Sequence, residues 1–289
     1  MDSARTPEER FEGLPDFPFA PHFRERDGLR LAHLDEGDGA PVVFVHGEPT
    51  WSFLWRKVIP PVRDAGFRCV APDLPGFGRS DKPTDLGWYS YDRHTAALAG
   101  LLEDLDLRGA TVVVHDWGGP IGLRLAVEHP DRIERMVILD TGLFTGHQKM
   151  TEAWIRFHDF VERTDDLPVG MLVRGACHTD PGEEVIAAYD APFPGAEFKA
   201  GAKAFPLILP TRPDAPGAEA GQRVQAALAE DERAKLVLWA DSDPILTLET
   251  GRRFAAALHT EVHHVIPDAS HFLQEDQGRH IGELIADWL

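Results

Sequence analysis

Val112-Val113-Val114-His115-Asp116-Trp117-Gly118-Gly119-Pro120-Ile121-Gly122 is the stretch on which the reading of this chain turns. An unbroken β-branched run gives way to a polar pair, two glycines and a proline, and then to a helical pattern. A run without polar alternation suits a parallel strand covered on both faces. The glycines allow the next helix to pass close to that strand. Strand, sharp turn and helix form the setting of a nucleophile elbow, which exposes one side chain at the top of a sheet. Asp116 occupies the place where a serine usually stands. Backbone N–H groups at a helix N-terminus stabilise negative charge, which helps keep a carboxylate nucleophile ionised. Aspartate is also a favoured helix N-cap, so the surroundings must choose between the two roles.

Outward from this turn, short apolar runs alternate with longer helical patterns. Strands are expected at Val42–His46, Arg68–Ala71, Thr111–His115, Arg135–Leu139, Lys235–Ala240 and His263–Ile266, and helices at Thr95–Leu105, Pro120–His129, Leu248–Ala257 and Gly278–Trp288. This alternation implies an α/β, doubly wound, mostly parallel sheet. Between about Thr141 and Gly221 the rhythm breaks into amphipathic pieces (Thr151–Glu162, Gly182–Tyr189) with frequent Pro and Gly. The expected division is a core of residues 1–140 and 216–289 and a helical cap of residues 141–215, seated over the carboxyl edge of the sheet where α/β ligands bind.

Three further segments bear on Asp116. Val45-His46-Gly47-Glu48-Pro49-Thr50-Trp51 follows an early strand, and in this fold such a loop supplies one oxyanion N–H while the residue after the nucleophile supplies the other. Those donors are the amides of Glu48 and Trp117. Asp73-Leu74-Pro75-Gly76-Phe77-Gly78-Arg79-Ser80 is Gly-rich but lacks the lysine and spacing of a phosphate loop. Near the C-terminus, His271 follows the last strand and Asp243 the one before it, giving the chain order nucleophile, acid, histidine that this fold uses. Asp140, after another strand, competes as the orienting acid, with a strand-ending turn residue as its plainer reading. Asp241 reads as a solvated loop carboxylate.

The net charge of −19 makes nucleic acid and anionic membrane surfaces poor partners. It argues mildly against an anionic substrate, although a local field can oppose the global one. Two cysteines, Cys69 and Cys177, make no disulfide framework and no zinc-type spacing. No apolar stretch approaches the ~20 residues of a membrane span, and the acidic, Pro-rich start lacks the features of a signal peptide. A cytoplasmic location is expected.

The sequence resembles the haloalkane dehalogenases, in the subfamily with an Asp–His–Asp triad and paired halide-binding tryptophans, and so the α/β-hydrolase fold. The resemblance is carried by HGEPTWSFLWRKVIP (46–60), DLPGFGRSDKP (73–83), VVVHDWGGPIGLRLA (112–126), APFPGAEFKAGAKAFP (191–206) and SHFLQED (270–276). It implies Asp116 as nucleophile, His271 as base, Asp243 as acid and the Trp117 indole as donor to the leaving halide. The substrate pocket it implies includes Glu48, Trp117, Phe157, Phe205, Pro206 and Leu246. The implied reaction takes a small halogenated aliphatic substrate and water and releases halide, with no cofactor and no metal. The second halide tryptophan of the family aligns with Phe157, and the nearby tryptophan here is Trp154. Positions i and i+3 share a helix face, so Trp154 is expected either to reach the same pocket or to serve as a packing aromatic. An epoxide hydrolase would use the same machinery with a pair of cap tyrosines, of which only Tyr189 is a candidate. A ligand-binding protein on a hydrolase fold would typically lose triad members.

Overall fold

The structure, a computed structural model, describes residues 2–289. Eight strands form one sheet: β1 (His22–Arg26), β2 (Leu29–Glu36), β3 (Pro41–Val45), β4 (Arg68–Pro72), β5 (Ala110–His115), β6 (Ile133–Leu139), β7 (Lys235–Ala240) and β8 (His264–Ile266). Their order across the sheet is β8-β7-β6-β5-β3-β4-β2-β1, with parallel pairing everywhere except where β2 meets β1 and β4. The expected six-strand parallel block is present, and a hairpin the sequence reading did not include extends it at one edge. That hairpin turns at Asp27-Gly28, both at positive φ (52° and 77°), the backbone of a tight two-residue turn for which Asp-Gly is favoured.

The central strands are apolar because both faces are covered. Every residue of β5 is buried, and Val42, Val43, Phe44 and Val45 of β3 have no accessible surface. Helix α1 (Ile59–Asp64) precedes β4, and α2 (Tyr91–Asp104) and α3 (Gly118–Glu128) flank β5 in sequence. α3 packs on β5, β6 and β3, and on α2. The close approach needs Gly118, where a Cβ would lie 2.1 Å from the Val45 carbonyl oxygen.

Between β6 and the helix α8 (Ala218–Ala229) the chain adds no strand. It forms α4 (Glu152–Arg163), α5 (Val169–Gly175), α6 (Glu183–Asp190) and α7 (Ala200–Ile208). α4 packs on α7, and α5 on α6. α9 (Leu248–Ala257) has the expected bounds. α10 (Leu273–Trp288) begins five residues before the expected Gly278, with a kink at Gln277, so α10 starts directly behind His271. No helix among the described residues is long and apolar enough to cross a membrane.

Candidate active site

The carboxyl ends of five parallel strands converge on one place. Glu48 follows β3, Asp116 β5, Asp140 β6, Asp243 β7 and His271 β8. Asp116 has φ 49°, a left-handed backbone unusual for a residue with a side chain. Hydrogen bonds hold it there: its N–H donates to the Asp140 carbonyl at 3.1 Å, while its own carbonyl accepts from the Gly119 N–H at 2.9 Å and the Thr141 hydroxyl at 2.5 Å. A side chain in this conformation is lifted off the end of the strand toward the cavity above it.

The Glu48 N–H donates to Asp116 Oδ1 at 2.7 Å. On the other side, His271 Nε2 stands 3.6 Å from Asp116 Oδ2, and its Nδ1 bonds Asp243 Oδ2 at 2.8 Å. Asp243 Oδ1 accepts from the Ile245 and Leu246 N–H groups at 2.7 and 2.9 Å. Asp140 makes no such contact with the imidazole. One of its oxygens accepts from the Ala240 N–H at 2.9 Å, and the other is buried without a partner. Of the two acids, Asp243 is the one in contact with the ring nitrogen.

Burial raises the cost of charge throughout this site, and neighbours decide which groups remain ionised. For Asp116 burial pushes the pKa up, but His271 and the Trp117 amide outweigh it and hold the carboxyl below its ordinary value. Asp243 is likewise held down against burial, chiefly by the charge of His271. His271, squeezed by burial toward neutrality, is instead lifted well above its ordinary value by Asp243 and Asp116. Glu48 and Asp140 go the other way. Burial, followed by the adjacent charge of Asp116 for Glu48 and of Asp243 for Asp140, raises both well above the carboxylate range. The site thus contains two carboxyls, Asp116 and Asp243, shifted toward the ionised form around a histidine shifted toward the protonated form, and two, Glu48 and Asp140, shifted toward the neutral form. Both oxygens of Glu48 are buried and unpartnered.

Supporting groups hold these side chains in place. His115 Nε2 donates to the His271 carbonyl at 2.8 Å, and the two rings lie 4.9 Å apart. Burial takes the pKa of His115 down to about 3, so it acts as a neutral donor. His46 Nε2 accepts from the Leu74 N–H at 3.0 Å, and buried Asp73 accepts from the Ser52 and Arg79 N–H groups at 2.8 Å each. The Gly-rich segment 73–80 therefore braces the loop that carries Glu48.

Above the floor is a cavity of about 500 Å³, lined by Glu48, Asp116, Trp117 and His271 and otherwise mainly by apolar side chains. Trp154 and Phe157 both line it, as do Pro206 and Leu246. Phe205 does not. It has no accessible surface and stacks behind the Trp117 indole, with ring centroids 4.9 Å apart and planes 25° apart, so it positions the indole without meeting a ligand. The sequence reading also missed much of the wall: Leu143, Phe144 and Met150 from the loop after β6, Met171 and Leu172 from α5, and Thr250, Arg253, Phe254 and Ala257 from α9. The α9 residues fall at i, i+3, i+4 and i+7, one face of a helix. That spacing was available as a signal once α9 had been identified.

No tyrosine lines the cavity. The hydroxyls of Tyr89 and Tyr91 donate to the Pro83 and Pro120 carbonyls at 2.7 and 2.8 Å, and that of Tyr189 donates to Glu275 at 2.5 Å. Among the described residues, potential metal ligands group at His158, Asp159 and Glu162 on α4, with ligating atoms within 4.8 Å of one another. None of the three lines the cavity.

An eight-stranded sheet with one crossing of strand order, and a nucleophile elbow aligned with an acid and a histidine on later strands, define an α/β hydrolase whose elbow carries aspartate. A family model described as the alpha/beta hydrolase fold matches residues 40–166. A haloalkane dehalogenase of Psychrobacter cryohalolentis is 39% identical over all of this chain and 98% of the relative, and haloalkane dehalogenase 1 of Mycobacterium tuberculosis is 42% identical over all of this chain and 99% of that one. The tetrameric haloalkane dehalogenase DpaA of Paraglaciecola agarilytica superimposes with a TM-score of 0.91 at 35% identity, covering 98% of this chain and 97% of its own. This chain belongs to the haloalkane dehalogenase family.

Proposed function

We propose that this protein hydrolyses carbon–halogen bonds of halogenated alkanes through an ester on Asp116. The observation that carries the reading is an ionised carboxylate at the tip of the elbow, facing an apolar cavity and flanked by His271. An Asp116 oxygen attacks the carbon, the carbon–halogen bond breaks, and halide departs beside Trp117. An indole N–H donates only, on an otherwise apolar ring, and suits a large, weakly hydrated anion. Trp154, on the cap-side wall, serves as the second halide donor in place of the residue at Phe157. His271 then takes a proton from water, whose oxygen attacks the ester carbonyl while the Glu48 and Trp117 amides hold the oxyanion. Alcohol leaves, Asp116 is restored, and the proton passes to solvent. No cofactor enters this sequence.

Esterification removes the charge of Asp116, one of the groups that raises the His271 pKa. The ring thereby becomes easier to deprotonate at the stage where a base is needed. Asp243 fixes its tautomer and balances its returning charge. We treat residues 141–215 as a cap that closes the cavity, supported by the walls α4 and α5 contribute. A cytoplasmic location fits two cysteines that remain free.

Epoxide opening is disfavoured because it needs a donor for the ring oxygen and every tyrosine hydroxyl is committed elsewhere. The test is halide release from n-butyl and n-hexyl bromide, with an epoxide as counter-substrate. The reading expects halide from the bromides, little diol from the epoxide, and neither from Asp116→Asn. Wild-type turnover by that variant would refute it.

A further inference from the structure

The cavity is chemically two-ended. At its floor stand the buried groups Glu48, Asp116, Trp117 and His271. Its lining also includes Lys149 and Arg253, both exposed and so where the cavity opens to solvent, and the half-buried Gln225 and Thr250. Glu48 and Asp116 are the only carboxyl groups among the lining residues, and both lie at the floor. The mouth therefore presents two positive charges in a chain of net charge −19, a local field opposite in sign to the global one. Glu249 offsets Arg253 only in part. It lies 3.8 Å away along α9, with both side chains about 70% exposed, and such exposed pairs are weak.

We propose that this site accepts ω-halogenated carboxylic acids of medium chain length, with the halogenated carbon at Asp116, the methylene chain along the apolar wall and the carboxylate at Lys149 and Arg253. The inference rests on the dehalogenation reading and narrows its substrate class. A short 2-halo acid is excluded by the same geometry. Its carboxylate would sit beside Asp116 and Glu48, where no lysine or arginine is found among the floor residues. The chemistry is unchanged: the Asp116 ester forms as halide leaves, water cleaves it, and the products are the ω-hydroxy carboxylate, halide and a proton. At the mouth the carboxylate keeps part of its water, so little desolvation opposes binding. Two exposed charge contacts of ordinary strength lower KM by roughly threefold to tenfold.

The experiment compares kcat/KM for ω-bromohexanoate, ω-bromooctanoate and ω-bromodecanoate with that for their methyl esters at low ionic strength. The expected carboxylate-to-ester ratio exceeds one for at least one chain length, falls toward one as salt is added, and drops below one in Lys149→Glu/Arg253→Glu. n-Hexyl bromide, assayed alongside, separates the two levels of the argument. If the wild type releases no halide from it, the dehalogenase reading itself fails. If it does, but the ratio is one or less at every length or is unmoved by charge reversal, the carboxylate proposal is overturned while dehalogenation stands.

Discussion

Gly47→Ala tests the geometry of the nucleophile without touching a reacting group. Gly47 does not have positive φ, so alanine is compatible with its backbone. Its Cβ, however, would lie 2.2 Å from Asp116 Oδ1 and 2.6 Å from both Asp116 Cβ and the Trp117 nitrogen, whereas ordinary contact begins at 3.4 Å. The carboxylate has to retreat by about 1 Å, a displacement on the scale that costs ~100-fold in rate, equivalent to ~2.7 kcal/mol of transition-state stabilisation. The same retreat lengthens the 2.7 Å bond from the Glu48 amide, so ester hydrolysis suffers with alkylation. Overpacking of this kind costs about 1–3 kcal/mol of stability, which a domain of this size should survive. Halide release under substrate saturation, together with a thermal melt of the same preparation, measures both quantities. A folded Gly47→Ala that retains wild-type kcat would refute the argument that this glycine exists to make room for the nucleophile.

His271→Phe removes the base and leaves the alkylating carboxylate, so it should release about one equivalent of halide per active site and then stop, with the alkyl adduct visible by intact mass. In the wild type the same separation should be reachable by acidification. Asp116 is held below its ordinary pKa and remains ionised, while hydrolysis slows by ~10-fold per pH unit below the ester-state pKa of His271. A halide burst should therefore emerge at low pH, and steady-state and burst amplitudes that fall together would contradict it. Trp154→Phe should weaken bromide binding several-fold, read from quenching of the remaining indole fluorescence; an unchanged affinity would assign Trp154 to packing. Burial beside Asp243 raises the pKa of Asp140 well above its ordinary value in the fold, whereas in the unfolded chain it ionises above about pH 4. Its raised pKa therefore disfavours the folded state increasingly as pH climbs, by ~1.4 kcal/mol per unit until the folded-state pKa is passed. Asp140→Asn can keep the Ala240 bond and should raise Tm more at about pH 8 than at about pH 4, and an equal shift at both would mean that Asp140 is ionised in the fold.

The parts of this molecule that could be read along the chain are those whose physics is local. A both-sides-buried strand needs a continuous apolar run, a close strand-to-helix crossing needs glycine, and an elbow exposes whichever residue sits at its tip, so the six-strand block, Asp116 as the elbow residue and His271 as the base candidate could be picked out from short windows. The Asp27-Gly28 turn was equally local and marks a hairpin whose polar first strand, His22–Arg26, hid it. Other properties depend on groups brought together from far apart. Whether Asp140 or Asp243 meets the imidazole is a matter of side-chain direction at strand ends about 100 residues apart, and both are acceptable by spacing. The upward pKa shifts of Glu48 and Asp140 come from burial beside another carboxylate, which no window of sequence contains. Phe205 lies in a matching motif yet packs behind the indole, because a helix face is defined by what it is pressed against. The cavity wall, with its two cations at the mouth, gathers the loop after β6, α4, α5, α8 and α9, and only their packing gives those residues a common surface.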